Sequence, residues 1–279
     1  MKEISVELIT EEVAKLCVKA NLYLSDDVKE RITDSETKEK SPLGKQVIGQ
    51  LIENMEIAGS SQIPICQDTG MAVFFVEVGQ EVHINGSLTD AINAGVRKGY
   101  EEGYLRKSVV SDPILRVNTG DNTPAIIHYD VVPGDKLDIL IAPKGFGSEN
   151  MSKLYMLKPA DGVEGIKKAV VKTVSEAGPN ACPPFVVGVG IGGDFELSAK
   201  LAKKALTRNL EVRSELPHIK ELEDELLAEI NQLGIGPAGL GGSTTALAVN
   251  IETYPTHIAG MPVAVNMCCH VNRHARVTL

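Results

Sequence analysis

The chain has 279 residues, 43% hydrophobic and 23% charged, with a formal net charge of −9. This balance suits a soluble globular protein with a substantial buried core. The acidity argues against nucleic acid or an anionic membrane as main partner, and aromatic residues at 4% with no Trp give no stacking platform for bases.

Taken in order, residues 4–24 place Ile4, Leu8, Ile9, Val13, Leu16, Cys17 and Ala20 at helical spacing, with Cys17 on the apolar face as a core thiol. Residues 25–41 read as an exposed turn and a short helix. Ser41-Pro42 then looks like an N-cap and first helical position, opening a helix to about residue 57. Ile65-Cys66-Gln67-Asp68-Thr69-Gly70 follows, a dense run of reactive groups before a strand at 71–78. A turn, a short strand near His83 and a helix over 88–103 lead into a long polar loop ending at Pro124. Strands Ile126 to Val132 and Leu137 to Ala142 flank Pro133-Gly134-Asp135, a hairpin signal.

Lys144 to Asn150 reads as a glycine loop ahead of a helical segment, and 161–177 as a helix closed by Gly178-Pro179. Beyond Asn180-Ala181-Cys182-Pro183-Pro184 come a buried strand, Phe185 to Val189, and a second glycine loop, Gly190 to Gly193. Helices near 196–208 and 216–232, a third glycine loop at 234–242 and a strand, Ala246 to Ile251, precede a tail holding His257, Cys268, Cys269, His270 and Arg273. Strands, hairpins and helices intermix without a linker or repeat. The expectation is an α+β fold, helices with a mixed sheet, in one large domain over 1–279.

No apolar stretch is long enough to span a bilayer, and Met1 to Val6 lacks a signal-peptide core, so no membrane partner and a cytoplasmic location are expected. The five cysteines make an odd count that suggests no disulfide framework and leaves core residues, nucleophiles or metal ligands. Cys66, Cys182 and Cys269 each sit in a turn or at an element end, far apart in sequence, which disfavours a zinc finger. Three thiolates gathered by the fold would suit an iron–sulfur cluster with one iron left open. Lys144-Gly145-Phe146-Gly147 offers backbone N–H groups near a cation for a carboxylate, or is a plain turn. Gly188 to Gly193 fits neither dinucleotide nor phosphate-loop patterns, leaving close approach to a small ligand or a tight turn.

Together, Cys66-Gln67-Asp68-Thr69-Gly70, Asn118-Thr119-Gly120-Asp121-Asn122, the Lys144 glycine loop, Ala181-Cys182-Pro183-Pro184 with Gly192-Gly193, and the tail from His257 to Arg273 resemble one family. It is the iron–sulfur-dependent class I fumarate hydratase and L(+)-tartrate dehydratase family, specifically its alpha subunit. The resemblance covers nearly the whole chain in order. It implies a [4Fe-4S] cluster on Cys66, Cys182 and Cys269, with Cys268 a bystander. It also implies Asp68 and His257 as catalytic residues, and Gln67, Arg106, Gly145 and Gly147 as substrate contacts. Single-chain members continue into a second domain, so the resemblance implies a separate beta subunit, activity only with that partner, and an oligomer of alpha–beta pairs. The implied reaction is reversible hydration of fumarate, a step of the tricarboxylic acid cycle. L(+)-tartrate dehydration and a non-enzymatic metal- or dicarboxylate-binding subunit are the alternatives.

Overall fold

The structure, a computed structural model, describes residues 2–279. In chain order it holds β1 (Lys2–Ser5), α1 (Val6–Leu22), α2 (Asp26–Lys38), α3 (Pro42–Ser61), β2 (Val73–Gly79), β3 (Val82–Asn85) and α4 (Leu88–Glu102). Then follow β4 (Ile126–Val132), β5 (Leu137–Ile141), α5 (Phe146–Glu149), β6 (Lys153–Leu157), α6 (Gly162–Ala177) and β7 (Phe185–Gly193). Last come α7 (Phe195–Ala205), α8 (Pro217–Gln232), β8 (Ala246–Thr256), β9 (Met261–Cys268) and β10 (Ala275–Thr278). The fold is α+β, as expected. The contacts divide it into two compact units. One holds the chain up to Ser25, Met55–Phe146 and Arg273–Leu279; the other holds Asp26–Asn54 and Gly147–Asn272.

The first unit is built on a sheet of order β10-β5-β2-β4. Its centre, β2, is almost wholly buried because it is paired on both sides, parallel to β4 and antiparallel to β5. The hairpin expected from Pro133-Gly134-Asp135 does not form. β2 lies between β4 and β5, and the turn arches over its end, where Gly79 N–H donates to Lys136 O and Glu81 N–H to Gly134 O. A Cβ at Gly79 would stand 2.4 Å from Gly134 O, so glycine is what lets the arch close. Helix α1 starts at Val6, with Ser5 as N-cap accepting from Leu8 N–H at 3.2 Å, while Ile4 joins β1 beside β3. It buries Ile9, Val13, Leu16, Cys17 and Ala20 against α4, whose Gly95 and Gly99 let the two backbones approach. Burial pushes the Cys17 thiol well up, as an inert core thiol requires.

The second unit has a sheet of order β6-β9-β7-β8 with helices on both faces. Phe185, Val187 and Val189 of β7 pack towards α6 and α8, each contributing about 2 kcal/mol of burial. The alternate positions, Gly188 and Gly190, face α7. The stretch Gly190 to Gly193, expected as a loop, is the end of β7. Added Cβ atoms at Gly188 and Gly190 would lie 2.1 Å from Ala202 O and Ser198 O, so the close approach these glycines permit is that of a helix. Four strands lie outside the sequence expectation: β1 at the start, β6 after the Lys144 loop, β9 in the tail and β10 at the end.

Helix α2 is amphipathic, burying Val28 and Ile32. Ser41 Oγ accepts from Gly44 N–H at 3.2 Å, the N-cap expected for α3. Glu39, 2% exposed, holds the third glycine loop: its carboxylate accepts from the N–H groups of Ser41, Ser243 and Thr244 at 2.7–2.8 Å. Burial alone would raise this carboxyl, but those hydrogen bonds outweigh it and bring it from 4.5 down to about 2.

Candidate active site

The stretch Cys66 to Gly70 forms no helix or strand; hydrogen bonds from the rest of the first unit shape it. Asp68 is the hub. Its Oδ1 accepts from Gly70 N–H at 3.0 Å and its Oδ2 from Phe146 N–H at 3.0 Å. The neighbouring loop is locked on by a bridge, in which Met71 N–H donates to Lys144 O and Lys144 N–H to Met71 O. Gly70, at φ +79°, needs to be glycine twice over, since a Cβ there would also meet the Lys144 backbone at 2.8 Å. A Cβ at Gly145 would sit 3.1 Å from Asp68 Oδ2, so this glycine lies directly against the Asp68 carboxylate. Lys144 is buried, its Nζ donating to Gly145 O.

Arg106 is brought to the same loop by its main chain. Its N–H donates to Thr69 Oγ1 at 2.8 Å, and that hydroxyl donates to Arg106 O at 3.2 Å. The guanidinium is left exposed. Beneath the loop, the Tyr100 hydroxyl lies 3.0 Å from both Thr69 O and Gly70 O; burial pushes this phenol up, so it remains a donor. Asn122, fully buried, takes N–H groups of Ser108 and Val109 on its Oδ1 and donates to Gly70 O through Nδ2. The Asn118-to-Asn122 motif therefore sets the path of the segment carrying Arg106. Gln67 is exposed, and its Oε1 accepts from Cys66 Sγ at 3.4 Å. The first unit thus gathers Cys66, Gln67, Asp68, Arg106 and Gly145 around one loop.

The second unit carries Cys182 and Cys269, and a clasp joins their segments. Cys182, exposed and left-handed at φ 55°, presents its carbonyl to His270, whose N–H donates at 3.4 Å and whose Nδ1 lies 3.2 Å from the same oxygen. Cys268 is buried with its Sγ 3.9 Å from Asn272 Oδ1, whereas Cys269 is half-buried. Gly147 lies within the one-turn α5, where an added Cβ would stand 3.8 Å from Asn180 O. His257 is not brought to this end. It follows β8, whose last register pair is Gly193↔Thr256, while Cys268 pairs with Val186, so roughly 20–25 Å of strand separates it from the cysteines. There it is exposed, accepts from Ala259 N–H at 3.1 Å, and edges a groove with Asp194 and Tyr254.

Among the described residues no three His, Cys, Asp or Glu side chains stand close enough to hold a metal ion. The chain does offer suitable donor chemistry. Cys66, Cys182 and Cys269 stand outside any disulfide and are at least partly exposed, while Cys17 and Cys268 are buried. Soft thiolates at such positions fit an iron–sulfur group. Among the described residues no helix is long and apolar enough to cross a membrane.

The first unit sets a carboxylate, an amide and an arginine around one loop, and the second carries the Cys182 and Cys269 thiols. The family model for fumarate hydratase (Fumerase) matches residues 10–278, and the chain belongs to that family. It is 43% identical over 274 residues to the putative L(+)-tartrate dehydratase subunit alpha of Methanocaldococcus jannaschii, covering 96% of each chain. It is 34% identical over 276 residues to the L(+)-tartrate dehydratase subunit alpha of Escherichia coli, covering 98% of this chain and 91% of the relative. The subunit of the same name in Shigella sonnei matches at 34% identity.

Proposed function

We propose that this chain is the alpha subunit of a two-subunit hydro-lyase that adds water reversibly to fumarate to give malate. The observation that carries the reading is the gathering of Gln67, Asp68, Arg106 and Gly145 around one loop in a member of the fumarate hydratase family. The exposed Arg106 guanidinium is free to take a substrate carboxylate in a two-pronged hydrogen bond. Gln67 and the backbone at Gly145 and Gly147 would hold the other polar groups of the substrate. Asp68, fixed by two N–H donors, would receive or orient the C3 proton, a weak acid whose removal depends on accurate placement. His257 is proposed as a second catalytic residue, one that would have to reach the substrate from the far end of β8.

Cys66, Cys182 and Cys269 would hold a [4Fe-4S] cluster. Such a cluster, with one iron left open, supplies a Lewis acid for the hydroxyl that leaves or adds. The relatives' designation as alpha subunits supports a beta partner that completes the site, in a cytoplasmic oligomer of alpha–beta pairs. A second reading, L(+)-tartrate as substrate, is favoured by the names of those relatives. The test is Cys182→Ser in the full chain coexpressed with its partner and purified without oxygen. Brown absorbance and hydratase turnover are both expected to vanish, and full turnover by a colourless Cys182→Ser complex would defeat the assignment. His257→Asn is expected to lower turnover while leaving the absorbance intact; wild-type turnover would remove His257 from the site.

A further inference from the structure

Arg273 has been given no role so far, yet it is a buried cation of the first unit. It is 4% exposed. Its Nη2 donates to Asp68 O at 2.5 Å and its Nε to Pro143 O at 3.2 Å, so one guanidinium grips both loops that frame Asp68. Its Nη1 is buried without any hydrogen-bond partner. Both acceptors are neutral carbonyls. Burying a full charge for two such bonds is expensive, and an amide side chain could supply a single donor of this kind at far lower desolvation cost. A Cβ built on Gly145 would lie 3.1 Å from Asp68 Oδ2 and 3.9 Å from Arg273 Nη2, so the carboxylate and the guanidinium flank the same glycine.

We propose that Arg273 is the positioning residue of the site: it sets the main chain of Asp68 against the Pro143-to-Phe146 loop, and so aims the Asp68 carboxylate. This rests on the reading of Asp68 as the group that meets the substrate. The geometry separates it from Arg106. Arg106 reaches outward and would bind substrate, whereas Arg273 acts only through Asp68 and has no surface to offer a ligand.

The test uses Arg273→Met and Arg273→Lys in the full chain, coexpressed with its partner. Two quantities are read: kcat and KM for the hydration reaction, and the rates at which iodoacetamide alkylates Cys66 and Cys182 in the cluster-free chain. For Arg273→Met, kcat is expected to fall about 30- to 100-fold with KM within about 3-fold, the size of effect that a small misplacement of a reacting group produces. Cys66 alkylation should quicken about 5-fold or more while Cys182 is unchanged, because only the Asp68 loop is released. Arg273→Lys keeps the charge and one donor, so it should recover about half of the lost ground on a logarithmic scale. Wild-type kcat in Arg273→Met overturns the proposal, and so does a parallel rise in both alkylation rates, which would mark general loosening. Should Arg273→Met not fold, Arg273→Lys decides by the same signs: lowered kcat, level KM and selective exposure of Cys66 support it, and unchanged values overturn it. If the wild-type complex hydrates nothing, the function reading fails, and the alkylation ratio alone then decides whether Arg273 holds the loop.

Discussion

Thr69→Val is the most economical perturbation of the site, because it swaps a hydroxyl for a methyl at nearly constant volume. The side chain is 2% exposed and makes two bonds, accepting from Arg106 N–H at 2.8 Å and donating to Arg106 O at 3.2 Å. Each such bond contributes about 0.5–1.5 kcal/mol net, so losing both should lower stability by about 1–3 kcal/mol. The same change unties the Arg106 segment from the Asp68 loop. If Arg106 binds a carboxylate, that binding weakens, and KM should rise about 3- to 10-fold with kcat changed less. Urea unfolding of the chain and steady-state kinetics of the complex measure the two effects. A double-mutant cycle with Arg106→Ala adds a constraint: once the guanidinium is gone, Thr69→Val should have little further effect on KM. A stability loss under about 0.5 kcal/mol together with unchanged KM would refute the reasoning, since the bonds would then be idle.

Three further outcomes are expected. Glu39 is depressed to about 2 from 4.5, so its stabilisation is complete above pH 4.5 and is lost as pH falls towards 2; at neutral pH it amounts to up to about 3 kcal/mol. Glu39→Gln should remove most of this and flatten acid unfolding between those limits, and an unaltered acid curve would count against it. Gly190→Ala, with its Cβ driven to 2.1 Å from Ser198 O, should cost about 1–3 kcal/mol by calorimetry, whereas a ligand-binding loop there would tolerate it. Cys269→Ser should abolish the brown absorbance and Cys268→Ser preserve it at a modest cost in melting temperature; the reverse pattern would move the third ligand to Cys268.

Much of the helical frame could be read from the sequence because amphipathic spacing is a local signal. α1 and α4 declare their buried faces, and Ser41-Pro42 announces α3. Strand partners are settled by long-range competition. Pro133-Gly134-Asp135 carries every local mark of a hairpin, yet β2 enters between β4 and β5 and is almost wholly buried there. The glycines of β7 misled for a related reason: glycine permits both a turn and a close neighbour, and only α7 reveals which. At the site, Cys66 to Gly70, Arg106 and Gly145 stood out as chemically loaded residues, and one unit joins them. Tyr100 did not stand out, because a lone buried polar residue leaves no periodic trace, and Thr69, Asn122 and Arg273 stood in the motifs without a role of their own. Only the Asn118-to-Asn122 motif hinted at a polar scaffold, and its hydrogen bonds show that Asn122 shapes the Arg106 segment.

The most direct test is a side-by-side assay of the anaerobically purified complex on fumarate, malate and L(+)-tartrate, with Asp68→Asn as the matched control. The account predicts loss of fumarate absorbance and its return from malate, turnover of L(+)-tartrate weaker than that of malate, and a fall of about 100-fold or more in Asp68→Asn with the cluster absorbance retained. Tartrate turnover exceeding that of malate would move the substrate to the second reading. Undiminished hydration by Asp68→Asn, or a brown complex inert towards all three acids, would contradict the central claim.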